Sequence, residues 1–537
     1  MENISLAILC GGKSRRFGTD KGFFAPLGDE SLVARAIRLL GEDFGEILVV
    51  VRDPEQELLY RAALEPHLQW AGEALNRKVR LVHDSQVELG SPSALTGIAT
   101  ALATMTKSQA VIVPVDQVGV RSLHLKRLVN HGEGLTYPVA FASNDQTVLP
   151  FPSLWRATHL PSVAARLTAQ GLGVRATLAD LNVKLVDEPS WHHSLAANTN
   201  TLEEAQGYFG RPLVDPYGRR LHYLRFSLTE ACNLSCQYCL PHGFPEWYRH
   251  KARLGMDNVG TLARGFRLLG FRKLRLTGGE PTLHPHALEA VKLAHSLGYE
   301  EIAMTTNGLL MGDVGAWTSA GLTHLNVSLD SLDANIFQDM AGSRQIEDAL
   351  KVRETIESAV ASGIKVKVNT VLMRSRNGRE TNIRALIEWA LGLPLTLRFI
   401  ELMDTKLNAT FAAGERVFGR EIEPILHEYG LSQVVRHRQN TFLGGPATEY
   451  GSKVHQGRIG LINPLSCNFC NDCNRLRVTA RGGLKLCLFG NEDIPLDLTS
   501  PESVASVVRR VISQKPEKHY LEDGLVGNVA TFRTIGG

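Results

Sequence analysis

The 537-residue sequence has no apolar run close to the ~18 residues of a membrane-spanning helix. Its net charge is only +3, which gives no reason to expect nucleic acid as a partner. Short internal repeats and low-complexity tracts are missing, and the apolar Ile4–Cys10 stretch is too short for a signal peptide. These absences leave a soluble globular protein of about three domains. We expect neither a membrane nor a nucleic-acid partner, and a cytoplasmic location.

Cysteine is scarce, with eight residues, but seven of them fall into two tight groups. Such grouping favours metal ligation over a disulfide framework. The first group, Cys232, Cys236 and Cys239, has the spacing C-x3-C-x2-C. Three thiolates can hold three irons of a cubane cluster and leave the fourth iron open to a small molecule. A zinc knuckle or a ferredoxin-like site is the alternative.

A second motif follows, in which the residues 273–281 read Lys-Leu-Arg-Leu-Thr-Gly-Gly-Glu-Pro. With the three cysteines and the tyrosine before the third, it resembles the radical S-adenosylmethionine superfamily. The resemblance implies an incomplete α/β barrel, a 4Fe-4S cluster and reductive cleavage of S-adenosylmethionine. The residues that it implies at the S-adenosylmethionine site are Tyr238, Gly278, Gly279, Glu280, Ser328 and Met403.

Four further segments, 223–229, 305–308, 326–332 and 397–403, are similar to the GTP 3′,8-cyclases of molybdenum cofactor synthesis. This resemblance spans residues 218–537 and implies GTP as substrate, an electron donor, and a terminal Gly536-Gly537 that enters the active site. A basic lining suits a triphosphate, which arginine binds bidentately. The residues implied at the GTP site are Arg225, Lys273, Arg275, Thr305, Lys367, Arg398, Arg475, Leu476 and Arg477, with Lys273, Arg475 and Arg477 as the catalytic ones.

The second cysteine group matches the C-x2-C-x13-C pattern of the same family at Cys470, Cys473 and Cys487. The resemblance implies a second 4Fe-4S cluster, with an open iron that meets the guanine ring. Cys467 is additional to the pattern. It could cap the fourth iron, and four cysteines could also form a structural zinc site. A radical peptide maturase is a competing reading of this half, although such enzymes normally carry more cysteines.

The N-terminal half begins with a candidate strand that opens into a glycine-rich loop at Gly11-Gly12, followed by basic residues. Glycines let the backbone approach phosphate closely, although a structural tight turn has the same pattern. A Walker A loop is excluded because Ala7 stands where that motif requires its first glycine.

The run 9–21, continued at 83–84, 113–116 and 196–204, resembles the molybdenum cofactor guanylyltransferases. The resemblance implies GMP transfer from GTP to a molybdopterin-type cofactor. Two departures from the family, the segment 91–97 and Val118, keep open a non-catalytic GTP-binding module. The implied roles are guanine and ribose binding by Leu9, Cys10, Gly11 and Gly12, phosphate contact by Lys21, nucleoside contact by Asp84 and Mg²⁺ binding by Asp116.

The domain organisation follows from two stretches in which short β-rich runs alternate with helical patterns, as in parallel α/β folds. We predict a Rossmann-like nucleotidyltransferase domain over 1–211, the partial barrel over 218–404 and a cluster-bearing extension over 405–537. A homodimer is left open. The predicted strands are Ile4–Cys10, Ile47–Val51, Val79–Val82, Val111–Val115, Lys273–Thr277, Ile302–Thr306, Leu325–Leu329, Lys365–Leu372 and Leu395–Ile400.

Overall fold

The computed structural model divides into two compact units, Met1–Phe209 and Gly210–Gly537. No helix among the described residues is both long and apolar enough to cross a membrane. The structure describes residues 1–11, 20–25, 30–71, 76–84, 93–169, 173–195, 197–241, 252–434, 446–466, 469–490 and 493–519. Of the sequence predictions, Gly12, Ser91, Cys467 and Gly536-Gly537 lie outside these residues.

The N-terminal unit is built on one mixed sheet with the order β3-β2-β1-β4-β6-β5-β7. Strands β3, β2, β1 and β4 are parallel, and β6 runs antiparallel to β4 and β5. Apolar side chains pack against both faces of this sheet, as two separate core clusters. The strands are β1 Ser5–Leu9, β2 Glu46–Val51, β3 Val79–His83, β4 Gln109–Pro114, β5 Val139–Ala142, β6 Val148–Arg156 and β7 Lys184–Val186.

Helices cover the parallel part of this sheet. Ser31 and Ser93 begin two of them as N-caps, since each serine side chain accepts a backbone N–H of the first turn. The helices are α1 Leu32–Leu40, α2 Pro54–Ala71, α3 Ala94–Thr104, α4 Ser122–His131, α5 Leu160–Thr168, α6 Val174–Asp180, α7 His192–Leu195 and α8 Leu202–Phe209.

The C-terminal unit contains a larger sheet in which β10 to β15 are consecutive parallel neighbours. β18 and β19 extend it at its two sides, again in parallel. The strands are β8 Leu213–Val214, β9 Arg220–Leu221, β10 Tyr223–Ser227, β11 Lys273–Thr277, β12 Glu301–Thr306, β13 His324–Ser328, β14 Lys365–Leu372, β15 Thr396–Glu401, β16 Ser432–Gln433, β17 Thr448–Gly451, β18 Arg458–Ile462, β19 Arg475–Val478, β20 Gly483–Lys485 and β21 Ile494–Pro495.

The helices of this unit connect the parallel strands, and one large apolar core lies between helices and sheet. Parallel strands need such crossovers, which explains the alternation in the sequence. The helices are α9 Met256–Leu268, α10 Ala287–Ser296, α11 Val314–Ser319, α12 Ala334–Ala341, α13 Asp348–Ala361, α14 Glu380–Leu391, α15 Ala409–Glu415, α16 Gly419–Glu428 and α17 Pro501–Val511.

The predicted α/β class is confirmed, and all nine predicted strands are present with ends within two residues of the expected positions. The region after residue 404 contributes β17, β18 and β19 to the same sheet as the barrel strands. The cluster-bearing segment is thus continuous with the barrel through backbone pairing. The three-domain division of the chain stays a prediction.

Candidate functional site

One cavity of about 330 Å³ in the C-terminal unit brings both cysteine groups together. Cys232, Cys236 and Cys239 line it from the loop after β10, and Cys470, Cys473 and Cys487 line it from the segments on either side of β19 and β20. The described cysteines are free thiols. Across the described residues, no set of three or more His, Cys, Asp or Glu side chains is arranged to hold a single metal ion. Six cysteine thiols thus line one common space, and thiolates of this kind are the ligands of iron–sulfur clusters.

The first cysteine loop is held by the glycine turn after β11. Gly279 N donates to Thr229 O at 2.8 Å, and Glu280 N donates to Ala231 O at 2.7 Å. A Cβ on Gly279 would lie 2.4 Å from Ala231 O, so only glycine permits this approach. The amides of the turn are therefore used to place the loop that begins at Cys232. Gly278 and Gly279 also line the cavity, as predicted for an S-adenosylmethionine contact.

Glu280 is placed differently from the expectation. It is not among the described residues that line the cavity, and only 1% of it is exposed. Its carboxylate accepts the Asn307 backbone N–H at 2.7 Å and the hydroxyls of Thr282 and Thr306 at 2.6 and 2.8 Å. Burial raises its pKa despite these bonds. Glu280 thus joins the glycine turn to the end of β12, behind the cavity wall.

Tyr238, Ser328 and Met403 all line the cavity. Tyr238 donates its hydroxyl to Asp330 Oδ2 at 3.0 Å, and burial raises the pKa of Asp330 to about 6. Asn408 Nδ2 donates to the carbonyls of Tyr238 and Met403, at 2.9 and 3.1 Å. Asn408 therefore holds together two residues that lie 165 positions apart. Asp330 lies within the motif segment 326–332 but was not singled out, and Asn408 lies outside every motif segment, so sequence reasoning missed both.

Among the residues that the structure describes, seven cationic side chains line the same cavity, together with the carboxylates of Asp330 and Glu401. Burial, with neighbouring Arg475, lowers the pKa of Arg477 to about 10. Burial and adjacent cations also hold the pKa of Arg225 and of Lys367 well below their usual values. Such crowding of like charge favours an anionic ligand. The seven residues are Arg225, Lys273, Arg275, Lys367, Arg398, Arg475 and Arg477.

Successive side chains of β19 point to opposite faces of the sheet. Arg475 and Arg477 face the cavity, whereas Leu476 is fully buried in the apolar core. The side chain of Leu476, predicted at the GTP site, is therefore not on the cavity side. Arg477 lies in register with Arg225 on β10.

Several buried polar atoms around the cavity lack a hydrogen-bond partner among the described residues. They include both donors and acceptors, so the cavity offers unused polar groups to a nucleotide. Arg275 does donate to Thr305 Oγ1 through its Nη1, at 3.4 Å. The unpartnered atoms include Arg275 Nε, Arg475 Nε, Thr277 Oγ1, Asn326 Oδ1 and Asn369 Oδ1.

Tyr223 lies below these cations at the start of β10. Lys273 Nζ is 5.0 Å from its ring centre, and the Arg275 guanidinium carbon is 5.6 Å away. Although burial acts in the opposite direction, the charges of Arg275 and Arg225 lower the pKa of Tyr223 to about 8. Tyr223 belongs to the motif segment 223–229, but the local sequence does not show that its ring contacts Lys273 and Arg275.

The N-terminal unit places its predicted residues at the carboxyl ends of parallel strands, where nucleotides bind in such sheets. Lys21 Nζ lies 2.6 Å from Asp116 Oδ2 and 3.1 Å from Asn200 Oδ1. Two hard oxygen donors thus converge beside a cation, and oxygens of this kind are what Mg²⁺ prefers. Asn200 lies within the quoted run 196–204 but was not singled out.

Gly11 and Asp84 are adjacent across the end of the sheet. A Cβ on Gly11 would lie 3.2 Å from Asp84 Oδ2, and Thr100 Oγ1 donates to Asp84 Oδ1 at 3.0 Å. The Leu9 carbonyl accepts the Val115 backbone N–H, and Cys10 N donates to Val50 O. Burial raises the pKa of the Cys10 thiol. The six described residues of the predicted site therefore lie at the carboxyl ends of the parallel strands, with Lys21 next to Asp116.

The departures from the transferase pattern have a structural explanation. Val118, where the family has proline, donates its backbone N–H to Asp116 O at 3.0 Å, a bond that proline could not make. The Val118 carbonyl accepts hydrogen bonds from the guanidinium groups of Arg35 and Arg121. Gly97 allows helix α3 to approach Leu9, since a Cβ there would lie 3.2 Å from Leu9 Cδ2. Asp116 thus accepts Val118 N through its carbonyl while its carboxylate contacts Lys21.

Replacing Asp84 by asparagine should remove a pH dependence of the N-terminal unit. Burial raises the folded pKa of Asp84 to about 6 from 3.8, so its contribution to stability is complete below pH 4 and is lost as pH rises through 6. That loss is on the order of 3 kcal/mol. Hydrogen exchange of the β1 amides should show weaker protection at pH 7.5 than at pH 5 in the wild type and equal protection in Asp84→Asn. Asp180→Asn, at an exposed site, is the control. Equal protection of the wild-type β1 amides at pH 5 and pH 7.5 would contradict the raised pKa of Asp84.

Comparison with known proteins assigns the two units to enzyme families. The family model "MobA-like NTP transferase domain" matches residues 6–186, "Radical SAM superfamily" matches 226–387 and "Molybdenum Cofactor Synthesis C" matches 395–521. GTP 3′,8-cyclase from Tolumonas auensis is 40% identical over 336 residues, which is 60% of this chain and 96% of the relative. The chain belongs to the GTP 3′,8-cyclase family. The Pasteurella multocida cyclase is 39% identical over 61% of this chain and 96% of its own length.

The cyclase-family unit is preceded by the MobA-like transferase unit, so the chain is a fusion of two enzyme families. Membership of the radical S-adenosylmethionine superfamily implies S-adenosylmethionine and iron–sulfur chemistry. Among solved structures, molybdopterin-guanine dinucleotide biosynthesis protein A from Archaeoglobus fulgidus is similar over 38% of this chain and 95% of its own. Its identity is 18% and its TM-score 0.31, too low to support an inference.

Proposed function

We propose that the chain is a bifunctional enzyme of molybdenum cofactor synthesis. The C-terminal unit converts GTP to (8S)-3′,8-cyclo-7,8-dihydroguanosine 5′-triphosphate, and the N-terminal unit transfers GMP from GTP to molybdenum-molybdopterin with release of pyrophosphate. One observation carries the cyclase assignment: two groups of three cysteines and seven cations line a single cavity. The cysteines account for the redox cofactors, and the cations account for a triphosphate substrate.

We assign one 4Fe-4S cluster to Cys232, Cys236 and Cys239, and a second to Cys470, Cys473 and Cys487. Tyr238, Gly278, Gly279, Ser328 and Met403 border the space for S-adenosylmethionine, and Glu280 supports it from behind. When bound, the first cluster and S-adenosylmethionine supply hydrogen abstraction from the substrate by one-electron chemistry, for which an external electron donor is needed. The protein contributes placement and the exclusion of water.

The residues of the chain orient GTP between the two cysteine groups. Arg475 and Arg477 lie two and four residues after Cys473, so they hold the nucleotide beside the second group, while Arg225 lies in register with Arg477 on the next strand. Lys273, Arg275, Lys367 and Arg398, on β11, β14 and β15, neutralise the triphosphate, and Thr305 on β12 adds a hydroxyl that can form a hydrogen bond. Their positions on rigid strands keep the ribose at a fixed distance from the first group.

Anaerobic reconstitution tests the cyclase proposal. We expect about eight irons per chain, from two four-iron clusters, and 5′-deoxyadenosine formation that depends on GTP. ATP in place of GTP is the matched control, since it brings the same triphosphate with a different base. Formation of 5′-deoxyadenosine at the same rate with and without GTP would contradict GTP as the substrate, and dependence on an added peptide would instead favour a peptide maturase.

In the transferase unit, we propose that Asp116 binds Mg²⁺ and that Lys21 contacts the GTP phosphates. Lys21→Met should lower pyrophosphate release more than ~100-fold, because it removes a charge that stabilises the transferring phosphoryl group. Lys126→Gln is the control, since Lys126 forms a half-exposed surface pair with Asp43 at 3.1 Å. Wild-type chain that binds GTP yet releases no pyrophosphate with the molybdopterin substrate would show that this unit is a non-catalytic module.

A further inference from the structure

Two buried cations hold the backbone around the second cysteine group. Lys515 Nζ donates to Leu486 O, directly before Cys487, and to Arg475 O at 3.3 Å, two residues after Cys473. Arg219 Nη1 donates to Cys470 O at 2.8 Å. Each cysteine of the group is therefore fixed through its own carbonyl or that of a near neighbour.

The positive charge of Arg219 is balanced by a buried carboxylate, that of Asp215. Arg219 Nε lies 2.6 Å from Asp215 Oδ2, and both side chains are nearly completely buried. The same guanidinium donates to Pro516 O at 2.7 Å and to Glu517 O at 2.6 Å. Arg219 thus joins the cysteine loop to the segment after Lys515 without adding net charge.

Lys515 differs from Arg219 because its charge is not balanced by a carboxylate. It is 3% exposed, and in the described part of the chain its ammonium group meets two carbonyl oxygens and no carboxylate within 4 Å. A buried ammonium group is costly unless an anion lies nearby. The two carbonyl partners of Lys515 lie directly before Cys487 and two residues after Cys473, so the thiolates of the second cysteine group are the anionic groups beside it.

We infer that Lys515 is a positioning residue that stabilises the negative charge of the second cluster and raises its reduction potential. Reduction adds an electron to a site that already carries thiolate charge, so a buried cation beside it favours the reduced state. This inference rests on the proposed function, because it requires a cluster on Cys470, Cys473 and Cys487.

The test uses the full chain with Cys232, Cys236 and Cys239 replaced by alanine, so that one cluster is observed. Iron per chain is counted after anaerobic reconstitution, and the midpoint potential is measured by a redox titration followed by electron paramagnetic resonance. Lys515→Gln, which keeps hydrogen-bond donors but loses the charge, should lower the midpoint by about 59 mV or more, a tenfold change in a one-electron equilibrium. Lys515→Arg should stay near the unsubstituted potential. Arg510→Gln removes an exposed charge from α17 and should change nothing.

The outcomes separate charge from packing. Loss of the cluster in Lys515→Gln with its retention in Lys515→Arg also supports the inference, because charge alone distinguishes the two. A Lys515→Gln chain with full iron and an unchanged midpoint would overturn it, as would loss of iron in both variants. Absence of iron from the chain with intact Lys515 would overturn the second cluster itself, and the proposed function with it.

Discussion

Replacing Cys473 by serine is expected to remove one cluster's iron from the chain and to abolish formation of the cyclised nucleotide. Cys473 lines the cavity, and Lys515 and Arg475 offset the effect of its burial by lowering its pKa, which favours the thiolate that binds iron. A serine hydroxyl has no comparable affinity for iron. Loss of an outer-shell partner typically costs 10–100-fold, so loss of a ligand should cost more than ~100-fold in turnover. Iron per chain and product formation from GTP measure the two effects.

Cys467→Ser is the matched control for that substitution. Cys467 lies outside the described residues and outside the C-x2-C-x13-C spacing, so its loss should leave the iron content and the cyclase reaction unchanged. The spectrum of the second cluster should still respond to GTP. Equal loss of iron in both variants would mean that four cysteines bind this cluster, which leaves no open iron for the substrate.

Replacing Glu301 by glutamine is expected to destabilise the cyclase-family unit by about 3–5 kcal/mol, the usual effect of breaking a buried ion pair. Glu301 is 3% exposed and contacts Lys273 Nζ, with His324 Nε2 at 3.9 Å. Although burial acts against it, Lys273 and His324 lower the pKa of Glu301, so the carboxylate stays charged. Its loss leaves Lys273 buried among the other cations of the cavity.

Thermal unfolding of the full chain, with the β12 amides as hydrogen-exchange reporters of this unit, measures the effect. Adding GTP should narrow the difference between Glu301→Gln and wild type, because the triphosphate replaces part of the missing negative charge. A double substitution with Lys273→Met should recover much of the lost stability. Glu289→Gln, at an exposed site on α10, is the control and should change stability by less than ~0.5 kcal/mol. Equal stability of Glu301→Gln and wild type would contradict the assignment.

The strand positions could be predicted because parallel strands are buried on both faces and therefore appear as short continuous apolar runs. The cysteine groups and the glycine turn could be predicted because their spacing is local. The partners of these motifs could not be. Asn408 reaches Tyr238 across 170 positions, and Lys515 reaches Leu486 from a different element. Such contacts depend on which strands become neighbours, and the local sequence does not encode that order.

The direction in which individual side chains point also differs from the sequence prediction. Glu280 follows the glycines in a known motif, yet its carboxylate turns away from the cavity to accept Asn307 N. Leu476 lies between two cavity arginines, but alternation on β19 directs it into the core. In both cases a contiguous motif contains residues of two kinds, one that lines the cavity and one that supports its wall.

The pairing of β10 with β19 has a consequence for biosynthesis of the protein. Asn474 and His222 form a hydrogen bond across 252 positions of the chain. The pairing of β10 with β19 therefore cannot form until almost the whole chain has left the ribosome. The first cysteine loop and its glycine turn need the residues up to about 408, since Ser235 N donates to Ala341 O and Asn408 Nδ2 donates to the Tyr238 carbonyl. The first cysteine group can therefore be assembled before the segment that carries the second has been synthesised, so the topology sets the order in which the two groups form.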